Sequence, residues 1–173
     1  MRLEAEGPLD ATGALVAVRI SFRSSIKIEA DASAVTAGGL TVLGKAVAIN
    51  PLTRVENGPI ANGDHLEIRA SLDRDGNLVA TRIVKQAAST RVFLQAPVTA
   101  KDAVAGTLTM LGITLTTNSQ TELRKSTDVN DTAVDSATFF AQITPNVTVV
   151  KVRWDAFSSM TLPVKQAEIE LGK

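Results

Sequence analysis

Hydrophobic residues along the chain alternate with polar ones in short runs, and glycine, proline, asparagine and aspartate separate these runs. The segments SIKIEA, LTVLG, KAVAIN, HLEIRASL and LVATRIV show this pattern. Such alternation is typical of β-strands, and the separating residue types are those that form tight turns. In HLEIRASL, one face of the strand would carry the apolar residues Leu66, Ile68, Ala70 and Leu72. The pattern therefore predicts an all-β protein built from half-buried strands.

Three glycines mark predicted hairpin turns. The segment DRDGN places Gly76 where a tight turn needs a residue that adopts positive φ. LTVLGKAVAIN predicts a second hairpin around Gly44, and LTMLGITLTT a third around Gly112. Antiparallel strands that are neighbours in sequence are therefore expected to pair.

The opening of the chain repeats a later segment. A shift of 63 positions lays residues 4–20 on residues 67–83 without a gap, and nine positions are then identical. The shared stretch reads LDATGALVAVRI in the first copy and LDRDGNLVATRI in the second. The chain is therefore expected to open with the closing hairpin of a repeated unit.

A second repetition links the middle of the chain to its end. AGGLTVLG at 37–44 is similar to AGTLTMLG at 105–112, and the strands SIKIEA and RVFLQA that precede them share one pattern. A unit of about 60 residues with five short antiparallel strands is expected to close as a small, partly open barrel, because bare strand edges are unfavourable.

The repeats divide the chain into three predicted parts. Residues 1–24 form the closing hairpin of a partial repeat, residues 25–86 the first full β-barrel unit, and residues 90–173 a second, longer and divergent β-barrel unit. An isolated two-stranded hairpin is only marginally stable in water. The hairpin from Arg2 to Phe22 is therefore expected to pair with a neighbouring unit or with a second chain.

The sequence GGLTVLG, followed by GDHLEIRASLDRDGNLVATRIV, resembles a bacterial family known as domain of unknown function five-six-six-six. The resemblance covers most of Ile26 to Val84, the first half of the last unit, and the opening hairpin as a half copy. After Gln120 only the strand, turn, strand pattern is kept. The resemblance implies tandem small antiparallel OB-like barrels and a periplasmic, cell-envelope or secreted location. It implies no activity, cofactor or site residue.

Composition narrows the classes of function. Lys plus Arg equals Asp plus Glu, 18 against 18, so no global field would attract nucleic acid or anionic lipid. Five Phe, one Trp and no Tyr leave few rings on which bases or sugars could stack. The absence of Cys excludes disulfides and thiolate chemistry. No apolar run is long enough for a signal peptide or a spanning helix, so a soluble chain is expected. The balanced charge and the few aromatic rings predict that the chain has no nucleic-acid partner.

Two groups of acidic residues could be read as metal sites. Asp73, Asp75 and Asn77 alternate as the ligands of a calcium loop do, but the bidentate Glu of such a loop is missing, so a hairpin turn is the favoured interpretation. The second group consists of Asp128, Asp131 and Asp135. It lies at the start of the best helical candidate, residues 128–140, where Asp128 or Asp131 is predicted to cap one or two turns.

Two single residues could carry a site. His65 is the only histidine, and its place in NGDHLEIR indicates the first residue of a strand more than a catalytic base, because no nucleophile motif accompanies it. Trp154 in VKVRWDAF lies on the same face of the predicted strand as Val150 and Val152. This predicts a core residue and disfavours an exposed ligand platform.

These observations predict a non-enzymatic structural or protein-interaction repeat module of an exported bacterial protein. No catalytic, cofactor-binding or metal-binding residues and no cofactor are predicted. A protein partner or self-association through sheet edges is the expected interaction. The alternative is a ligand-binding OB-like barrel for an oligosaccharide or oligonucleotide.

Overall fold

The structure, a computed structural model, describes residues 2–23, 25–126, 130–154 and 163–170. Within these ranges it contains fifteen strands and one short helix, as the alternating pattern predicts. The strands of the first half are β1 (Arg2–Glu6), β2 (Arg19–Arg23), β3 (Ile26–Thr36), β4 (Gly39–Val42), β5 (Lys45–Ala48), β6 (Arg54–Glu56), β7 (His65–Leu72) and β8 (Leu78–Lys85). The second half contains β9 (Val92–Asp102), β10 (Thr107–Met110), β11 (Ile113–Thr116), β12 (Glu122–Ser126), β13 (Asp131–Ala133), α1 (Ser136–Ala141), β14 (Val149–Trp154) and β15 (Gln166–Glu170).

Five strands of the first half close into a small barrel. Strand β3 pairs with β4, β4 with β5, β5 with β8, β8 with β7, and β7 returns to β3. All of these pairs are antiparallel except the short β5 to β8 contact, which is parallel. A five-stranded Greek-key barrel of this kind is OB-like. The predicted fold class is therefore confirmed for this unit.

The alternating residues of β7 show how the sequence fills this barrel. Leu66, Ile68 and Ala70 are fully buried, so the predicted inner face is confirmed for three of its four positions. Leu72 is 52% exposed, and its placement on the buried face was wrong. The pairing of β3 with β7 ends at Ala70, opposite Ile26, so Leu72 lies beyond the strand that covers this side of β7.

The further strands repeat the pairing order of the first barrel. Strand β9 pairs with β10, β10 with β11, β9 with β14, and β14 with β15. A hydrogen bond from the Val164 amide to the Thr116 carbonyl, 2.9 Å long, links the end of β11 to the residues before β15. The end of the chain thus keeps the strand order of the first barrel, although its amino-acid sequence has diverged from the repeat.

A loop motif of the form Asn-x-x-Thr occurs after β5 and again after β11. The Thr53 hydroxyl donates to the Ala80 carbonyl at 2.7 Å, and the Thr121 hydroxyl donates to the Val164 carbonyl at the same distance. In both copies the Asn amide donates to the Thr hydroxyl, at 3.1 Å from Asn50 and 3.0 Å from Asn118. The first loop therefore links the end of β5 to β8, and the second links the end of β11 to the residues before β15 in the same way.

The two halves form one continuous sheet through β3 and β9. These strands pair antiparallel, with Ile28 opposite Leu94 at the centre of the pairing. Both residues are buried, and the apolar core forms a single cluster that includes residues from both halves. Because the two strands occupy equivalent places in their units, the junction has approximate two-fold symmetry.

The opening hairpin forms a separate sheet. Strands β1 and β2 pair antiparallel with each other only, and an isolated bridge joins Leu9 to Leu15 nearer the turn. The predicted hairpin is confirmed. Its predicted pairing with a neighbouring unit of the same chain is not found in the described residues, and pairing with a second chain stays a prediction.

The helix α1 lies between β13 and β14, and it begins later than the sequence pattern indicates. Asp135 is its N-cap and accepts a hydrogen bond from the Thr138 amide at 2.7 Å. Asp131 lies in β13 and bonds Arg124, so its predicted capping role was wrong, while Asp128 falls outside the described residues. Buried Phe139 and Phe140 show that the helix contributes apolar residues to the core.

The described part of the chain has no helix with the length and apolarity that a membrane span requires.

Candidate functional site

A groove of about 1200 Å³ opens on the first barrel and extends to the neighbouring strands of the second half. Its walls come from β4 and β5, from the turn between β7 and β8, and from the start of β3. Pro97, Thr99, Leu111 and Asn146 line the side that belongs to the second half. The groove therefore depends both on the closure of the first barrel and on the pairing of that barrel with the strands of the second half.

The lining of the groove consists mainly of small side chains and backbone. Gly38, Gly39, Ala46 and Ala48 lie along the β4 and β5 wall, so the main chain of these strands is reachable from the groove. A Cβ atom at Gly39 would lie only 2.8 Å from the carbonyl oxygen of Val47, so the pairing of β4 with β5 requires glycine there. This surface is suited to close contact with another polypeptide backbone.

Two charged side chains line the groove, Lys45 and Asp73. Lys45 donates from Nζ to the Gly112 carbonyl at 3.4 Å and thereby links the β4–β5 hairpin to the β10–β11 hairpin. None of the groove-lining residues in the described chain is aromatic. The groove consequently has little charge and no surface on which a ring could stack.

Asp73 is held by the turn that it initiates. Its Oδ1 accepts the amides of Asp75 and Asn77 at 2.9 and 2.8 Å, and Gly76 adopts φ +83°. The Asn77 side chain donates to Oδ2 at 3.0 Å. These hydrogen bonds lower the pKa of Asp73, the side-chain bond from Asn77 most strongly. The predicted hairpin turn is confirmed, and the carboxylate that suggested a calcium ligand accepts hydrogen bonds from the turn itself.

The β4–β5 turn at the side of the groove has an unusual residue in the left-handed region. Leu43 has φ +51° and Gly44 φ +71°, where a two-residue hairpin turn ordinarily prefers Asn followed by Gly. Leu43 is only 4% exposed, so its burial offsets the backbone strain. The equivalent turn in the second half repeats the conformation with Leu111 at φ +51° and Gly112 at +68°.

His65 lies at the start of β7, as the sequence predicts, and its buried side chain belongs to a polar cluster that is only partly buried, since the Asp31 side chain is 65% exposed. Its Nδ1 is 2.8 Å from Asp31 Oδ1, and its Nε2 is 3.5 Å from Glu29 Oε1. Glu29 in turn accepts two bonds from Arg91, at 3.0 Å from Nε and 2.6 Å from Nη2. The cluster therefore ties β3, β7 and the segment before β9 together at the junction of the two halves.

The arrangement around His65 resembles the histidine and aspartate of a catalytic triad only in part. The position that a nucleophile would take beside Nε2 is occupied by the carboxylate of Glu29, and the His65 side chain is 2% exposed. The ring nitrogens face different carboxylates, and the described residues contain no group of three or more His, Asp or Glu arranged to hold a metal ion. The geometry fits a structural link.

Trp154 is 4% exposed and belongs to the core together with Val150 and Val152, which confirms its predicted packing role.

Asp135 caps α1, and its pKa is lowered, chiefly by the hydrogen bond from the Thr138 amide. Asp131 pairs with Arg124 while Asp135 caps α1, so these two carboxylates have separate structural roles, and Asp128 lies outside the described residues.

Sequence reasoning missed the groove and the partners of His65. The available signal for the groove was the run of small residues in AGGLTVLGKAVA, which leaves the main chain accessible. No local signal connects Glu29, His65 and Arg91, because their contact depends on the antiparallel pairing of β3 with β7 and on the approach of the β9 segment.

The fold and groove define a class of small OB-like β-barrel proteins. Residues 29–84 match the family described as Domain of unknown function (DUF5666), so the first barrel is similar to that family. The match begins within β3 and ends within β8, and it therefore covers nearly all of the closed five-stranded barrel. Neither the curated proteins nor the solved structures gave a match.

Proposed function

We propose that the chain is a non-enzymatic protein-interaction module of an exported bacterial protein, and that the groove of the first barrel binds an extended segment of a partner protein. The observation that carries this proposal is the composition of the groove. Small side chains along β4 and β5 leave the backbone within reach, and Lys45 and Asp73 supply little net charge. Extended peptides bind exposed strand edges through main-chain contacts, while shallow pockets select small side chains. In the described structure β5 pairs with β8 only at Val47 and Ala48, so the start of β5 provides such an edge.

The rigid junction between the halves supports the same role. Pairing of β3 with β9 and the shared core give the groove a wall from each half. A binding surface held by a continuous sheet changes little on binding, which lowers the entropy cost of association. The resemblance to families of exported tandem repeats motivates the location, and cell fractionation with detection of the chain in the envelope or medium would test it.

Site-specific photo-crosslinking tests the proposed groove. A benzophenone amino acid replaces Ala46, which is exposed in the groove, and in a matched control it replaces Leu52, which is 89% exposed on a loop outside the groove. With envelope extract, the Ala46 variant is expected to yield a discrete protein adduct that the Leu52 variant does not. Identical adduct patterns from the two positions would contradict the proposal.

A ligand-binding barrel for an oligosaccharide or oligonucleotide is the second candidate. The location of the groove favours it, since OB-fold barrels bind such ligands on the face of their second and third strands and the adjoining loops. Strands β4 and β5 and the β7–β8 turn occupy these places. Saturable binding of a glycan or of single-stranded DNA, lost in Ala46→Glu and kept in Leu52→Glu, would support this candidate over a peptide.

A further inference from the structure

The opening hairpin is a copy of β7 and β8 without the strands that cover them in the first barrel. In the barrel, the inward positions of β8 are occupied by Leu78, which is 7% exposed, and Ala80, which is 2% exposed. The equivalent residues of the hairpin are Leu15 and Ala17, and Leu15 is 48% exposed while Ala17 is also exposed. The same side chains therefore lie in solvent in one copy and in the core in the other.

The complete barrel shows which strands provide this cover. Strand β3 pairs with β7 along six residues, and β5 pairs with the start of β8, where Val47 lies opposite Leu78. Strands β3, β4 and β5 follow one another as a three-stranded meander. The hairpin has no corresponding meander in the described structure, because β1 and β2 form a sheet of their own.

We infer that the opening hairpin is a docking element that completes a barrel with a further three-stranded meander of the β3–β4–β5 type. The segment 25–50 of this chain represents that meander. In the resulting barrel, β1 would pair with its first strand, and Leu15 and Val16, which precede β2, would pair with its third. This surface is separate from the groove, so the inference does not depend on the proposed groove function.

One charged position of β1 fits a strand such as β3 better than the equivalent position of β7 does. In the first barrel, Lys27 lies opposite Arg69 and Asp31 lies opposite His65. If β1 takes the place of β7 in the same register, Lys27 lies opposite Glu6 and Asp31 lies opposite Arg2. The like-charge pair of Lys27 and Arg69 thus becomes a pair of opposite charge. Opposite charges across an antiparallel pair stabilise it, and like charges destabilise it.

Binding of a labelled peptide with the sequence of residues 25–50 to the full chain tests this inference. Fluorescence anisotropy is expected to show saturable binding. Leu15→Asp is expected to weaken this binding about tenfold or more, because it places a charge at a position that the meander would bury. The matched control Leu52→Asp changes an 89% exposed leucine outside the hairpin and is expected to bind like the original chain.

A charge exchange keeps the test informative where Leu15→Asp merely unfolds the hairpin. Glu6→Lys in the chain is expected to weaken binding about fivefold, and Lys27→Glu in the peptide is expected to restore it. Absence of binding at millimolar peptide overturns the inference, as does binding that neither Leu15→Asp nor Glu6→Lys alters, since the peptide would then bind elsewhere.

Sedimentation velocity of the chain alone distinguishes self-association. The inference predicts a sedimentation coefficient that does not change between the original chain and Leu15→Asp. A dimer that Leu15→Asp dissociates would show that a second copy covers the hairpin, and it would overturn the assignment of a meander as the partner.

Discussion

The opening hairpin and the β7–β8 hairpin have the same turn but different surroundings. In both, an aspartate accepts two amides of the turn through Oδ1, and a glycine adopts nearly the same positive φ, +82° at Gly13 and +83° at Gly76. Yet Leu15 is 48% exposed and its equivalent Leu78 is 7% exposed. The turn is therefore encoded locally, whereas burial is provided by β3 and β5.

The two hairpins therefore show separately the effect of the turn residues on hairpin formation and the effect of buried apolar side chains on stability. The residues Leu, Asp, Gly and the LVA run specify a hairpin wherever they occur, since turn chemistry acts over a few residues. The apolar positions contribute to stability only where a third strand covers them. Substitutions at equivalent positions of the two hairpins should therefore have unequal effects on the free energy of unfolding.

The largest difference is expected at the leucines. Leu78→Ala should lower the free energy of unfolding by about 2 to 4 kcal/mol, because it removes buried methyl groups and leaves a cavity. Leu15→Ala should change it by less than about 0.5 kcal/mol, because the side chain is already half in solvent. Urea denaturation followed by the fluorescence of Trp154 measures both. Equal losses would show that Leu15 packs against the main sheet.

A smaller difference is expected at the turn glycines. Gly76→Ala should destabilise the protein by about 1 kcal/mol, since alanine is strained at positive φ although space for its Cβ is open. Gly13→Ala introduces the same strain but should leave the cooperative unfolding transition unchanged. Thermal denaturation by circular dichroism compares the two variants. A shift of the transition by Gly13→Ala would contradict the independence of the opening hairpin.

The smallest effect is expected from the turn aspartates at acid pH. Hydrogen bonds lower the pKa of Asp73, chiefly the one from the Asn77 side chain, and the Thr12 hydroxyl and turn amides lower the pKa of Asp10. A carboxyl whose folded pKa is lowered stabilises the fold above its unfolded pKa of about 4, and this contribution is lost as pH falls through the folded value.

Asp73→Asn should therefore reduce the acid sensitivity of the cooperative unfolding transition below about pH 4, whereas Asp10→Asn should not. Denaturation curves at a series of pH values measure this dependence. An equal change in both variants would indicate that the two hairpins unfold as one unit.

Much of the fold could be predicted from the sequence because the information was local or repeated. The alternation in HLEIRASL places three buried residues, and the repeat of LDRDGNLVATRI identifies both hairpins. The start of α1 could not be resolved in this way. Asp131 and Asp135 are equally good caps by residue type, and the ion pair of Asp131 in β13 with Arg124 in β12 decides between them.

The candidate groove and the polar cluster could not be predicted because they depend on long-range pairing. His65 and Glu29 lie far apart in sequence and meet through the register of β3 with β7, while Arg91 reaches Glu29 across the junction. The groove needs the closed barrel and the strands of the second half at once. Only the small residues along β4 and β5 indicated in advance where backbone would be accessible.

Amide hydrogen exchange, followed residue by residue, tests the central claim that equal turns lie in unequal surroundings. Amides of β7 and β8 are expected to exchange only through global unfolding, whereas those of β1 and β2 should exchange orders of magnitude faster through local opening. Protection of residues 2–23 equal to that of residues 65–85 would contradict the account, because it would require a cover over the opening hairpin within the chain itself.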